Sequence, residues 1–205
     1  MSREDRLITT KSNFILFFTH YLPHYVEYKF APFHFDMAVD IHDLIDGTIK
    51  ELSWIQYRES GKTSFAKGLL LYLICFHLDE YINVDSYDKE NAERILFDVV
   101  WEFQTNKRIL EDFGQLYNAP RSKDQISQKR VSNFVTNPPE GTTGIRVEAH
   151  STQEPVRGRL HGSKRPGFIL IDDYENKKTI KSEEYTKNIR EHIQEFKGGI
   201  DSTRG

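Results

Sequence analysis

A loop with the residues needed to hold nucleotide phosphates lies in the first third of the chain. Residues 54–64 read WIQYRESGKTS and contain the tripeptide Gly61-Lys62-Thr63. Triphosphates are bound by backbone N–H groups at a helix N-terminus, where a glycine lets the backbone approach and a lysine contacts the β- and γ-phosphates. The Thr63 hydroxyl is a suitable ligand for Mg²⁺. We therefore expect a nucleotide-binding loop, whose members are Arg58, Glu59, Ser60, Gly61, Lys62, Thr63 and Ser64.

This loop departs from the usual pattern at one position. The pattern has another glycine five residues before Gly61, and this chain has Gln56 there. The tripeptide alone therefore also fits an ordinary strand-to-helix turn, and a second motif is needed to decide between the two interpretations.

A second motif with matching chemistry lies further along the chain. Residues 168–173 read FILIDD, a short apolar run followed by Asp172 and Asp173. Because α/β sheets bind ligands at the carboxyl ends of their strands, Asp172 could reach a magnesium ion there. Asp173 could orient and activate the attacking water. The alternative is a strand that ends in a polar turn, but the two motifs together, in this order, favour a nucleotide site.

The elements that must position these residues alternate between strands and helices. Apolar spacing and turn residues predict strands over 51–57, 81–84, 132–136, 144–149 and 168–171. They predict helices over 14–30, interrupted at Pro23, and over 35–46, 63–78, 89–105, 106–114 and 182–197. Such alternation indicates an α/β fold with a parallel sheet and helices on both faces.

The composition is typical of a folded chain that buries a core. Hydrophobic residues make up 38% of the 205 residues and charged residues 29%. The net charge of −3 argues against a surface covered in basic groups for duplex DNA, although it is compatible with a local basic groove. Cys75 is the only cysteine, so no disulfide forms within the chain and a reducing intracellular compartment is expected. The longest apolar run, residues 68–76, is too short to span a bilayer.

The ordered set of motifs resembles the ATPase domain of phage terminase large subunits, the motors that package viral DNA. Members of that family commonly lack the first glycine of the phosphate loop and carry an arginine in it, as Arg58 does here. The resemblance covers roughly residues 30–176. Its further motifs are Pro32-Phe33-His34 before the adenine-binding region, Asp112-Phe113-Gly114 after a helix, Arg157-Gly158, Arg165-Pro166, and Asp172-Asp173-Tyr174-Glu175-Asn176.

The resemblance implies a role for each matching residue. The loop lysine and threonine would hold phosphate and magnesium, and Arg58 would reach the γ-phosphate from within the same chain. Asp172 would bind magnesium, and Asp173 would be the catalytic carboxylate. Many family members have glutamate at that last position, so Glu175 is a second candidate for activating water.

The resemblance also implies an architecture and a setting. Residues 1–34 would form a helical N-terminal lid, and residues 35–205 a P-loop NTPase domain of the ASCE type. This domain would be truncated before its last strand and before the nuclease domain of a complete terminase. The cofactors would be ATP and Mg²⁺. Expected partners are double-stranded DNA, a portal protein and a small terminase subunit, with a homo-oligomeric ring as one form of assembly, in the host cytoplasm and without a membrane.

Two other functions fit the same residues. One is a helicase-like P-loop ATPase that depends on nucleic acid. The other is a truncated module that does not hydrolyse nucleotide and docks to a portal or partner subunit. The basic segment over 151–166 also has two interpretations, namely an ordinary solvated loop or a nucleotide-sensing or DNA-facing loop. The residues that would serve the second are Arg157, Arg159, Lys164 and Arg165.

Overall fold

A computed structural model describes residues 1–118, 130–138, 141–155, 159–161 and 163–173, together with positions 187, 191, 194 and 195. The α-helices in this part of the chain are α1 (Arg3–Ser12), α2 (Phe14–Tyr21), α3 (Pro32–Ile45), α4 (Lys62–Cys75), α5 (Lys89–Thr105) and α6 (Lys107–Phe113), and a short 3₁₀ turn spans Pro23–Tyr25. The strands are β1 (Tyr81–Ser86), β2 (Asn133–Val135), β3 (Arg146–Ser151) and β4 (Phe168–Asp172). The predicted closing helix over 182–197 falls almost entirely outside the described residues.

The four described strands form one open sheet in the order β2-β3-β1-β4. Strand β1 is central and runs parallel to both β3 and β4. Strand β2 runs antiparallel to β3, because a connection as short as theirs does not allow a parallel crossover. The predicted α/β class is confirmed, as are the four strands predicted over 81–84, 132–136, 144–149 and 168–171. The sheet is mostly parallel rather than entirely so.

The two faces of the sheet differ in polarity because side chains alternate along each strand. Ile82 and Val84 on β1 share one face with Val147 and Ala149 on β3, and all four are buried in the main core. The main helix contact with the sheet in the described part of the chain is made by α5 on this face. Its buried side chains include Ala92, Ile95, Leu96, Val99, Val100 and Phe103. The other face of β1 carries polar side chains, and the chain between β3 and β4 contacts them.

Helix α4 passes through the middle of the core. Residues 65–74 are buried apart from Lys67, as expected for a helix that is apolar nearly all round. Helix α2 contacts α4 closely because Gly68 has no side chain, and a Cβ atom there would lie 2.5 Å from Cδ2 of Phe18. The N-terminal helical segment therefore shares one core with α4.

The predicted strand over 51–57 is wrong. This segment is extended but pairs with no strand among the described residues. It lies against α3, where Trp54 Nε1 donates a hydrogen bond of 3.0 Å to Oδ2 of Asp40. Only one side of the segment is covered, so Ile55 remains 93% exposed. Apolar composition indicated a buried strand, but a strand also needs a neighbour for its backbone groups, and composition does not reveal whether one is there.

The N-terminal helices differ from expectation in two respects. The helical segment predicted over 14–30 does not continue beyond the 3₁₀ turn, because residues 26–30 are not helical. Helix α1 was not predicted, although Ser2 and Asp5 form a reciprocal capping box at its start. The predicted interruption at Pro23 is confirmed, since α2 ends at Tyr21 and the 3₁₀ turn begins at the proline. Within the described residues, no helix has both the length and the apolar character needed to cross a bilayer.

Candidate nucleotide-binding site

The candidate phosphate loop is a tight turn directly before α4. The helix begins at Lys62, and Gly61 precedes it with a φ of 80°. Glu59 also has a positive φ, 65°, which a residue with a side chain rarely adopts. Ser60, between them, is 3% exposed, and its hydroxyl has no hydrogen-bond partner among the described residues. The first backbone N–H groups of α4 have no partners within the helix, so they can bind an anion.

Lys62 folds back over this loop. Its Nζ donates a hydrogen bond of 2.6 Å to the backbone carbonyl of Gln56. The bond joins the last residues of the loop to the position where the usual pattern has its first glycine. Because every residue type has a backbone carbonyl, Gln56 does not prevent this closure. The ammonium group is therefore already held at the loop, where phosphate oxygens would compete for it.

The two sequence motifs meet at the end of β4. The Thr63 hydroxyl lies near enough to the carboxylate of Asp172 to lower its pKa slightly. Burial raises the pKa of Asp172 above its usual range, and the neighbouring charge of Asp173 raises it further. The positive charges of Lys62 and Lys67 act in the opposite direction. The fold thus brings the loop threonine near the strand-end aspartate, with lysine charge nearby.

The Thr63–Asp172 pair has the donor chemistry of a magnesium site. Mg²⁺ prefers oxygen ligands and is usually held by one or two protein groups together with substrate phosphates. A hydroxyl and a carboxylate fit that requirement. Among the residues that the structure describes, no cluster of three or more His, Cys, Asp or Glu side chains could hold a metal ion. The residues present therefore fit a magnesium ion that arrives with a nucleotide.

Asp173 follows β4 directly and lies beside a cleft. Its φ is 50°, and its backbone carbonyl accepts a hydrogen bond of 3.0 Å from the N–H of Tyr87. Left-handed backbone at a residue with a side chain often marks a functional position. The cleft has a volume of about 550 Å³ and is lined by Tyr87, Asp88, Lys89, Asn91, Ser151, Gln153 and Asp173. The exposed carboxylate of Asp173 is therefore accessible to water.

The other predicted site residues are less involved in contacts. Arg58 and Glu59 are exposed on the loop, and Ser64 is half-buried in the first turn of α4. Glu175 lies outside the described residues, as does Arg157 of the basic segment. The catalytic roles of Arg58 and Glu175 stay predictions.

The side chain of Arg159, in the basic segment, is only 6% exposed. It donates a hydrogen bond of 2.8 Å to Oδ1 of Asp85, a fully buried side chain on the polar face of β1. It also bonds the backbone carbonyls of Glu154 and Pro155, at 3.3 Å and 3.2 Å. Burial raises the pKa of Asp85, and the charge of Arg159 lowers it. Arg159 thus fastens the chain between β3 and β4 to the central strand, which does not fit a DNA-facing or a solvated role.

Two residues at the site were not predicted to take part. The Nε2 atom of His34 lies 3.0 Å from the carbonyl oxygen of Ser60, which links α3 to the phosphate loop. Ser86 ends β1 in register with Asp172, and its buried hydroxyl has no partner among the described residues. The family resemblance includes His34 in a motif but gives it no role at the phosphate loop. No local sequence pattern indicates a role for His34 or Ser86. Both depend on residues distant in sequence that only the fold brings together.

No protein-family model matches the chain, and a search of curated proteins finds no match. A functional interpretation therefore depends on the geometry of the site and on the order of the sequence motifs.

Proposed function

We propose that this protein binds ATP with magnesium at the N-terminus of α4 and hydrolyses it. The observation that carries the proposal is the placement of Thr63 and Lys62, at the start of α4, near enough to the Asp172 carboxylate to lower its pKa, with Lys62 hydrogen-bonded to the loop at Gln56. These three residues come from two motifs that are far apart in sequence. An ordinary strand-to-helix turn has no need to place a hydroxyl, a carboxylate and an ammonium group together at one helix N-terminus.

Each group has a distinct task in the proposed site. The backbone N–H groups of the loop hold the phosphates, and Lys62 exchanges the Gln56 carbonyl for a phosphate oxygen. Thr63 and Asp172 hold the magnesium ion, which neutralises charge on the phosphates. Asp173 accepts the proton of the attacking water, with Glu175 as the second candidate, and Arg58 stabilises charge on the γ-phosphate.

We further propose that this ATPase is the motor module of a viral DNA-packaging terminase large subunit, which moves double-stranded DNA into a procapsid. The support is the motif order from Pro32 to Asn176 together with an α/β sheet that is compatible with a P-loop fold. A portal protein and a small terminase subunit are the expected partners. The phosphate loop without its first glycine favours this family over a general P-loop ATPase.

Steady-state ATP turnover, measured with and without double-stranded DNA, tests the proposal. We expect magnesium-dependent turnover that duplex DNA increases. Lys62→Ala should reduce it more than tenfold, because losing a charge-assisted contact costs about 1.5–3 kcal/mol. Lys107→Ala is the matched control, since Lys107 is also the first residue of a helix but is exposed on α6.

The other outcomes identify the alternatives. Stimulation by single-stranded nucleic acid with strand separation would point to a helicase-like ATPase. ATP binding without turnover under any condition would contradict hydrolysis and favour a docking module. Equal turnover in Lys62→Ala and Lys107→Ala would contradict the proposed site itself.

A further inference from the structure

His34 joins the first turn of α3 to the phosphate loop through both ring nitrogens. Its Nδ1 atom lies 2.9 Å from the backbone N–H of Ala31, the residue before the helix. Its Nε2 atom lies 3.0 Å from the carbonyl oxygen of Ser60, directly before Gly61. Among the residues that the structure describes, no other side chain of α3 forms a hydrogen bond with the backbone of this turn, so His34 is the polar link between the two elements there.

The two partners determine which nitrogen of the ring carries the proton. The backbone N–H of Ala31 can only donate, so Nδ1 must accept and carries no hydrogen. A carbonyl oxygen can only accept, so Nε2 must carry the hydrogen and donate it to Ser60. His34 is therefore a neutral imidazole in a single tautomer when both bonds are made.

The bond to Ser60 has a consequence for the neighbouring N–H group. In a trans peptide, the C=O and the N–H point in opposite directions. Because the Ser60 carbonyl points toward His34 on α3, the Gly61 N–H points away from α3. A loop that binds phosphate must present N–H groups to the anion and keep carbonyl oxygens away from it. His34 holds this one peptide in such an orientation.

The ring of His34 is itself held in place by aromatic neighbours. Its centroid lies 4.0 Å from that of Phe33 and 5.4 Å from that of Phe30, both on the α3 side. It lies 5.2 Å from the ring of Phe65 in the first turn of α4. A Cβ atom on Gly61 would be 3.6 Å from Nε2, so the ring also packs against the loop backbone. The imidazole therefore cannot turn away from Ser60 without disturbing both helices.

We infer that His34 is a positioning residue for nucleotide binding, because its Nε2–H fixes the Ser60–Gly61 peptide with the Gly61 N–H directed to the phosphates. This inference rests on the proposed nucleotide site and adds a residue to it. His34 does not touch the nucleotide in this role. It acts through the backbone of the loop.

Two substitutions separate this role from capping of α3. In His34→Asn, the side-chain oxygen can take the place of Nδ1 and still accept from Ala31, but nothing reaches Ser60. In His34→Gln, the longer amide places an N–H near the position of Nε2 and can donate to Ser60. We expect His34→Asn to weaken equilibrium binding of Mg²⁺·ATP about fivefold, the effect of one lost hydrogen bond between neutral groups. His34→Gln should bind within about twofold of wild type, a difference smaller than that one hydrogen bond.

Thermal unfolding without nucleotide completes the test. Equal affinities in wild type and His34→Asn would overturn the inference, as would affinities that simply follow the unfolding temperatures of the two variants. If the wild-type protein does not bind ATP, both the proposed function and this inference are contradicted. If the wild-type protein binds ATP and His34→Asn binds it equally well, only the inference about His34 is contradicted.

Discussion

Asp172 occupies an unfavourable position for a carboxylate in the nucleotide-free protein. It is half-buried, and Asp173 places a second negative charge beside it, so its pKa lies above the usual range. Lys62, Lys67 and Thr63 lower the pKa of Asp172, but by less than burial and Asp173 raise it. Functional sites often retain a charged group that destabilises the ligand-free protein, because the same group is needed to bind the ligand. A magnesium ion would favour the ionised form.

Asp172→Asn should stabilise the nucleotide-free protein at neutral pH. A carboxyl group whose pKa is raised by folding contributes stability below its ordinary pKa, near 4, and loses it as the pH rises through the raised value. The amide has no such titration and keeps an oxygen atom near Thr63. We expect the variant to unfold on the order of 2–4 °C above wild type at pH 7, as about 1 kcal/mol would produce in a chain of this size.

The difference between the two unfolding temperatures should shrink as the pH is lowered toward 4. Asp36→Asn, an exposed substitution on α3, is the control and should show neither effect. An unfolding temperature of Asp172→Asn below that of wild type at pH 7 would show that the carboxylate of Asp172 stabilises the nucleotide-free protein, contrary to this prediction.

Helix α4 depends on one small residue for its contact with α2. Phe18 is 1% exposed, and its ring centroid lies 4.8 Å from that of Phe65, so it has little room to move. Replacing glycine by alanine inside a helix normally stabilises it by about 1 kcal/mol. Overfilling a packed core costs about 1–3 kcal/mol. At Gly68 the steric cost should exceed the gain in helix propensity.

Gly68→Ala should therefore lower the free energy of unfolding, measured by urea denaturation. The double variant Gly68→Ala with Phe18→Leu should show less than the sum of the two single effects, because the smaller side chain leaves space for the added methyl group. An increase in stability on Gly68→Ala alone would show that α2 can move away from α4 at little cost.

The helices were more predictable from sequence than the site. Helix α5 spans the residues predicted for it, since its apolar spacing is a local property. Residues 51–57 have the composition of a strand, yet strand formation depends on a neighbour elsewhere in the chain. The bond from His34 to Ser60 and the burial of Arg159 against Asp85 also join distant parts of the sequence. Local patterns carry no information about such partners.

The carboxyl ends of the parallel strands form one edge of the sheet, and residues from several elements lie there. Asp172 and Ser151 each pair in register with Ser86 on the central strand, and Thr63 reaches this edge from α4. Parallel α/β sheets bind ligands at such an edge. On the polar face of β1, the ion pair between Asp85 and Arg159 holds the chain between β3 and β4 against the sheet. The candidate phosphate loop and the end of β4 therefore lie at the same edge of the sheet.

The magnesium dependence of ATP binding tests this account most directly. Equilibrium titrations of wild type and Asp172→Asn with ATP, in Mg²⁺ and in EDTA, would measure it without requiring turnover. We predict that wild type binds ATP at least tenfold more tightly with Mg²⁺, a difference of about 1.4 kcal/mol or more. In Asp172→Asn most of this difference should disappear. Wild-type binding that is absent or indifferent to Mg²⁺, or a variant that keeps the full magnesium dependence, would contradict the proposed site.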